Sequence, residues 1–440
     1  QSLNNSSIPD FLTTWRKAAF CGSYIAELDA TEEFSAAKRS ECVPFFSSGR
    51  ISIWPQEPHR WLCGVFSATP SDGMLYKTII RPLLFRKDPE ESHEKILTLL
   101  SRLEFFSAAF EQFYRVADSR LRIRVGPLTF ENPVGLAGGF DKNAVAPRTL
   151  ASFGFGFMEI GAITARPQPG NPKPRLYRLP EDDALINRLG FNNEGAAAIA
   201  AKLERMRARG GLPEIPLGMN IGRTKIVETK DAVADFLTCF ENLYAHGDFF
   251  TLNVSSPNTP NLRDLQEKNL LRELSTAVQQ RNRQLAARAK VEPKPVFVKI
   301  APDMELSQVD EIIEVVDSAQ LTGIVATNAT AVMRDNLKSP NAHEPGGLSG
   351  RPITAKVTSF ISHIYRVTRG RFPIIGVGGI FNAQDAYDKI KAGASAVQIY
   401  TGWIYEGPGA VKCINRGLLR LLERDGLKQL PDAVGLNARS

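Results

Sequence analysis

Pro373-Ile374-Ile375-Gly376-Val377-Gly378-Gly379, continued by Ala396-Val397-Gln398-Ile399-Tyr400-Thr401-Gly402, holds the fold in miniature. The apolar runs 373–377 and 396–399 flank an amphipathic stretch at 384–391. Runs this short read as buried strands, and the stretch between them as the helix of a parallel crossover. The same alternation recurs toward the N-terminus, with apolar runs at 134–137, 157–163, 215–221, 249–254, 296–300 and 323–326 and helical stretches such as 231–244 between most of them. Eight strand candidates over about 300 residues predict an α/β fold of the (β/α)8 barrel type. A doubly wound open sheet is the alternative, weakened because no Gly-x-Gly-x-x-Gly follows the first strand. Residues 121–130, around Gly126-Pro127, read as a hairpin ahead of the barrel.

The 440 residues are 43% hydrophobic and 23% charged, which excludes a disordered or collagen-like chain. No run of about 18 uncharged apolar residues is present, so no spanning helix is expected. The chain starts at Gln1, and any targeting or anchoring segment is expected upstream of it. The net charge of +7 is scattered, which argues against nucleic acid as a partner. The five cysteines never form a CxxC pair, and the five histidines are far apart with none at a strand end. Neither a metal site nor a disulfide framework is expected.

Residues 1–73 form an N-terminal extension with Ser-rich patches and Trp15, Trp54 and Trp61, and no role can be assigned to them. Residues 74–118 predict a pair of short helices with a Phe-rich face, the second starting at Asp88-Pro89-Glu90-Glu91 with a cap, a proline and acids against the helix dipole. Taken alone, such a face is expected to pack on the main domain. Residues 119–440 form the barrel domain.

In a barrel the chemistry sits where strands end. The first strand ends in Ala137-Gly138-Gly139-Phe140-Asp141-Lys142, the second in Gly161-Ala162-Ile163-Thr164, the third in Asn220. The fourth ends in Asn253-Val254-Ser255-Ser256-Pro257-Asn258, the fifth in Lys299, the sixth in Thr327-Asn328. Amides, hydroxyls and two lysines aimed at one mouth suit a planar anionic ligand. Gly376-Val377-Gly378-Gly379, Tyr400-Thr401-Gly402 and Gly346-Gly347-Leu348-Ser349-Gly350 are glycine loops placed to cradle a phosphate.

These motifs together resemble the class 2 dihydroorotate dehydrogenases, the membrane-associated, quinone-reducing flavoenzymes of pyrimidine biosynthesis. The most specific are Gly138-Gly139-Phe140-Asp141-Lys142, Gly170-Asn171-Pro172-Lys173-Pro174-Arg175, Ile186-Asn187-Arg188-Leu189-Gly190-Phe191-Asn192, Asn253-Val254-Ser255-Ser256-Pro257-Asn258-Thr259 and Val298-Lys299-Ile300-Ala301-Pro302-Asp303. The resemblance implies one non-covalent FMN on Ala137 and Gly138, with Gly161, Ala162, Asn220, Asn253, Lys299 and Thr327 around its ring and ribityl chain. Its phosphate would sit at Gly350, Gly379, Tyr400 and Thr401. Dihydroorotate would be held by Lys142, by Asn187-Arg188-Leu189-Gly190-Phe191, and by Asn253, Asn258 and Asn328. Ala329 stands where the family usually carries a Thr, so one orotate hydrogen bond is in doubt unless Thr330 or water replaces it.

The resemblance further implies Ser256 as the base that removes the C5 proton, helped by Lys142, while Lys299 stabilises the reduced flavin. The helical pair would form the mouth of a ubiquinone tunnel lined by His93, Arg178 and Tyr400 and would touch the membrane surface, with no obligate protein partner. It places the protein at the mitochondrial inner membrane, peripheral or anchored by a segment upstream of Gln1. Two rival readings are weaker. A tRNA dihydrouridine synthase would need a Cys in the mouth, and none ends a strand here. An inert membrane-attached barrel would have lost Ser256 or the lysines, and all are present.

Overall fold

The computed structural model describes residues 42–47, 50–55 and 73–439. The chain divides into two compact units, Gln1–Thr69 and Pro70–Ser440. Within the first, β1 (Cys42–Ser47) pairs antiparallel with β2 (Arg50–Pro55), a hairpin that the aperiodic sequence did not announce. Trp15 and Trp61 lie outside the described residues.

The second unit begins with helices. A π-helical turn, Tyr76–Ile80, runs into α1 (Arg81–Phe85), followed by α2 (Pro89–Arg102) and α3 (Ser107–Tyr114). Asp88 caps α2 by accepting the Glu91 N–H at 2.8 Å, as its sequence predicts. The helix then breaks at the 3-10 turn Glu104–Phe106, which divides the second predicted helix into two. Apolar spacing continues across the break, so periodicity alone does not register it. Leu97 and Leu100 face inward, whereas Met74, Leu75, Ile79, Leu83 and Phe106 are exposed and Phe105 is 90% exposed. The greasy face is therefore divided, since Ile96, Leu97 and Leu100 join the barrel core and Phe110 stacks on Phe153 at 5.5 Å while the exposed residues do not pack. No helix among the described residues is long and apolar enough to cross a membrane.

The hairpin of β3 (Ile123–Val125) and β4 (Leu128–Phe130) leads into the barrel strands. These are β5 (Val134–Asp141), β6 (Phe157–Ile163), β9 (Leu217–Ile221), β10 (Phe249–Asn253), β11 (Val296–Ile300), β12 (Gly323–Ala326), β14 (Ile374–Val377) and β15 (Ala396–Ile399). They pair in parallel and close on themselves, giving the expected (β/α)8 barrel. The lower barrel is filled by phenylalanines, with Phe130 stacked on Phe157 at 4.1 Å and Phe249 edge-on to Phe297 at 5.9 Å. Glycine makes room for them. A Cβ on Gly135 would meet the Phe157 ring at 2.4 Å, and one on Gly218 the Phe249 ring at 2.3 Å.

A second sheet lies outside the barrel, and nothing in the sequence pattern foretold it. Here β8 (Ala184–Asn187) pairs antiparallel with β7 (Leu176–Leu179) on one side and β13 (Gly347–Gly350) on the other. Four-residue strands are too short for alternation to show. Their register sets Asn187 opposite Gly347, which carries Asn187 to the cavity at the barrel mouth.

Candidate active site

A polar ladder climbs out of the phenylalanine layer. Glu159 is fully buried and accepts from Thr251 and Gln398 at 2.9 Å each and from Asn220 at 2.8 Å. Asn253 donates to Asn220 at 2.9 Å, and Asn328 donates to Asn253 at 3.3 Å and to the Ser255 hydroxyl at 3.0 Å. A buried carboxylate with three donors is thus the base of a chain of amides that fixes the orientation of Asn253 and Asn328.

Above this ladder opens a cavity of about 120 Å³. Ala137, Gly138 and Ala162 contribute the small side of its wall, and Asn187, Leu189, Gly190 and Phe191 one rim. Asn253, Ser256, Asn258, Asn328, Ala329, Lys142, Lys299 and Thr327 also line it, and Asn258 donates to the Asn187 side-chain oxygen at 3.3 Å. Gly350, Gly379, Tyr400 and Thr401 close the far end. Among the described residues, the N–H groups of Gly378 and Gly379 donate to no other backbone carbonyl, so they remain available there.

Three residues expected to touch the flavin or dihydroorotate do not line the cavity. Gly161 lies in the strand beside Ala162, and Asn220 lies one rung down, under Asn253. Arg188 pairs with Glu344 at 2.8 Å and stacks over Tyr177 at 4.7 Å, away from the cavity. Sequence reading also gave no role to two residues, although the resemblance includes Glu159-Ile160-Gly161 and the last apolar run includes Gln398. Gln398 lines the cavity, and its Oε1 is buried without a partner; Glu159 anchors the ladder. The signal was a polar residue inside an apolar strand run. Thr330 cannot stand in for the family's Thr, because it is fully buried and its hydroxyl is committed to Asp303.

Burial tunes the charges. Asp141 is fully buried, its carboxyl pushed up by desolvation, and it accepts the N–H groups of Val145 and Ala146 at 2.8 and 2.9 Å. That turn presents Lys142, whose ammonium burial pushes down to about 8 while the charge of Glu90 holds it up. Burial also lowers Lys299, against the charge of Glu159. Tyr400 is pushed up to about 12 by burial, so it stays a neutral phenol at ordinary pH.

The helical face of the site is built differently. His93 donates from Nε2 to the Phe140 carbonyl at 2.8 Å and stands edge-on to the Phe140 ring at 4.7 Å. Burial and the charge of Lys142 lower it to about 4, which makes it a neutral imidazole. Arg178 donates to the Lys87 carbonyl at 2.7 Å and lies over the Phe85 ring at 4.7 Å, where it joins β7 to the turn between α1 and α2. Neither His93 nor Arg178 lines the cavity at the barrel mouth, whereas Tyr400 does.

A barrel whose mouth sets a buried lysine, a serine and a ring of amides beside a glycine cradle is an enzyme site for flat, phosphorylated and anionic small molecules. The profile of the family described as dihydroorotate dehydrogenase matches residues 120–422. A dihydroorotate dehydrogenase (quinone) of Deinococcus deserti is 45% identical over 83% of this chain and 100% of its own length. One from Gloeobacter violaceus is 46% identical over 82% of this chain and 98% of its own. A crystal structure of DHODH in complex with ferulenol from Eimeria tenella superposes with a TM-score of 0.75 at 38% identity, covering 82% of this chain and 99% of that one. The chain belongs to the dihydroorotate dehydrogenase family, among its quinone-linked members.

Proposed function

We propose that this chain oxidises dihydroorotate to orotate in pyrimidine biosynthesis, with one non-covalent FMN as cofactor and ubiquinone as final acceptor. The observation that carries the reading is the meeting of Ser256, Lys142 and four asparagine amides in one cavity with the glycine cradle. FMN fits the residues present. Ala137 and Gly138 offer a flat wall, Gln398 Oε1 is a buried acceptor waiting for an N–H, and Gly378 and Gly379 hold two uncommitted N–H groups. When bound, FMN supplies the hydride acceptor for C6 and the store of electrons for the quinone.

The chain's own groups do the rest. Lys142 pairs with the substrate carboxylate, and Asn187, Asn253, Asn258 and Asn328 match the donors and acceptors of the pyrimidine ring. Ser256 takes the C5 proton at Oγ, which already accepts the Asn258 N–H at 3.3 Å, and passes its own proton to a water relay. Lys299 stands to offset the negative charge that reduction brings, and the charge of Glu159 opposes the loss of the lysine's proton that burial favours. Residues 254–262 cover this edge and exclude water, Ser256 being only 5% exposed.

The quinone is taken from the helical side. Residues 74–118 act as the tunnel mouth and 119–440 as the catalytic barrel, with His93, Arg178 and Tyr400 as the polar lining. The exposed Met74, Leu75, Ile79, Leu83 and Phe105 support contact with a membrane surface. Placement at the mitochondrial inner membrane rests on the sequence resemblance alone. The test is an anaerobic absorption spectrum. A yellow protein bleached by dihydroorotate and restored by a ubiquinone is expected; a folded, colourless protein that takes up no FMN overturns the reading.

A further inference from the structure

We propose that Arg263, ion-paired with Asp303, is a positioning residue that orients Ser256 and Asn328 for removal of the substrate proton. The proposal rests on the dihydroorotate oxidation argued above and adds to it a residue outside the cavity wall.

The loop after β10 turns over the mouth, and side chains from other segments hold its backbone carbonyls. Asn171 Nδ2 donates to the Asn258 carbonyl at 3.1 Å, and Arg223 donates to the Pro260 carbonyl. Arg263 does something the other two do not. Its Nε donates to the Ser255 carbonyl at 3.2 Å, its Nη2 to the Ala329 carbonyl at 3.3 Å, and its Nη1 to Asp303 at 2.8 Å. One planar group therefore grips the loops after β10, β11 and β12 at once.

Each grip bears on a cavity residue. The Ser255 carbonyl belongs to the peptide plane that enters Ser256, so holding that plane fixes the position of the Ser256 Cα and leaves only the rotation about its N–Cα bond to aim the side chain. Ala329 donates its N–H to the Asn328 side-chain oxygen at 2.9 Å, which turns the Asn328 Nδ2 toward Asn253 and Ser255. Asp303 holds the guanidinium in this pose and is itself held, because it accepts the Ala331 N–H at 2.8 Å and the Thr330 hydroxyl. The aspartate is 9% exposed and the arginine 27%, so water competes little at the Asp303 end. The fork geometry is the point, since a lysine could pair with Asp303 but could not serve two carbonyls in fixed directions.

The two other clamps, from Asn171 and Arg223, keep the loop in place when Arg263 is changed. Arg263→Gln is therefore expected to fold, bind FMN in full and keep the wild-type flavin spectrum. Its flavin should be reduced by dihydroorotate about ten- to a hundredfold more slowly in stopped flow, the scale of a small misplacement of a reacting group. The decisive readout is isotopic. Deuterium at C5 should show a larger effect in the variant than in the wild type, while deuterium at C6 shows no increase, because only proton removal has been impaired. Arg263→Lys should recover part of the rate, and Asp303→Asn should give the same isotope pattern. If Arg263→Gln fails to fold, the Arg263→Lys and Asp303→Asn variants carry the test alone. Reduction at the wild-type rate, or equal growth of both isotope effects, overturns the proposal. A wild-type protein whose flavin dihydroorotate does not bleach defeats the functional reading itself, and this proposal with it.

Discussion

Raising the pH should disable substrate capture well before it harms the fold, because Lys142 loses its proton early. Burial lowers its ammonium from 10.5 to about 8. In the free enzyme about nine-tenths of it is charged at pH 7 and about one-tenth at pH 9. A substrate carboxylate pairs with the ammonium and gains little from the amine. The ratio kcat/KM reports the free enzyme, so it should be level up to about pH 7 and fall about tenfold per unit above about pH 8. The sign for stability is the opposite. Between about 8 and 10.5 the unfolded chain holds this proton more firmly than the folded one, so this group's contribution to stability rises with pH through that window. Lost capture there is not alkaline unfolding. Glu90 helps to keep the lysine charged, so Glu90→Gln should shift the alkaline limb to lower pH. The assay is the rate of flavin reduction at low dihydroorotate from about pH 6 to about pH 10, with Lys142→Met as the reference lacking that limb. A wild-type profile level through pH 9, or an unchanged limb in Lys142→Met, would refute the assignment of Lys142 to the carboxylate.

Ser256→Ala should keep its FMN and slow flavin reduction by about 10² to 10⁴, the range for a lost general base, and a wild-type rate would require another base. Arg178→Ala should raise the KM for ubiquinone and leave reduction by dihydroorotate nearly untouched, since the guanidinium serves Phe85 and Lys87 on the helical side. Equal damage to both half-reactions with FMN retained would move the acceptor site elsewhere. Glu90→Ala should lower stability to urea by about 3 to 5 kcal/mol, because Glu90 and Arg175 form a buried pair at 2.7 Å with both side chains under a tenth exposed. A loss below about 1 kcal/mol would mean that Arg175 is satisfied by the Pro169 and Asn171 carbonyls alone.

All eight barrel strands are legible in the sequence, and so is the cap at Asp88. Each is a local matter, since a strand buried on both faces must be apolar whatever surrounds it, and a cap needs only its own first turn. Most residues at the strand ends come to the mouth for the same reason, because polar groups that close an apolar run in a barrel have one mouth to face, whereas Gly161 and Asn220 lie off the cavity. The antiparallel sheet of β7, β8 and β13 is not, since its pairing joins segments some 160 residues apart through strands of four residues. The break at Glu104–Phe106 is hidden by an apolar spacing that runs through it.

Sequence alone determined that this chain closes an eight-stranded barrel around a polar mouth with a glycine cradle, because strand burial and backbone clearance are written residue by residue. Only the tertiary structure decided which groups meet. Gln398 reaches Glu159 across 239 residues, Arg188 turns out to Glu344, Thr330 is spent on Asp303, and Lys142 sinks far enough to titrate near 8. Closure of the barrel sets those neighbours, and the charge state of a buried group depends on neighbours and on the water excluded around it, neither of which its own stretch of sequence contains.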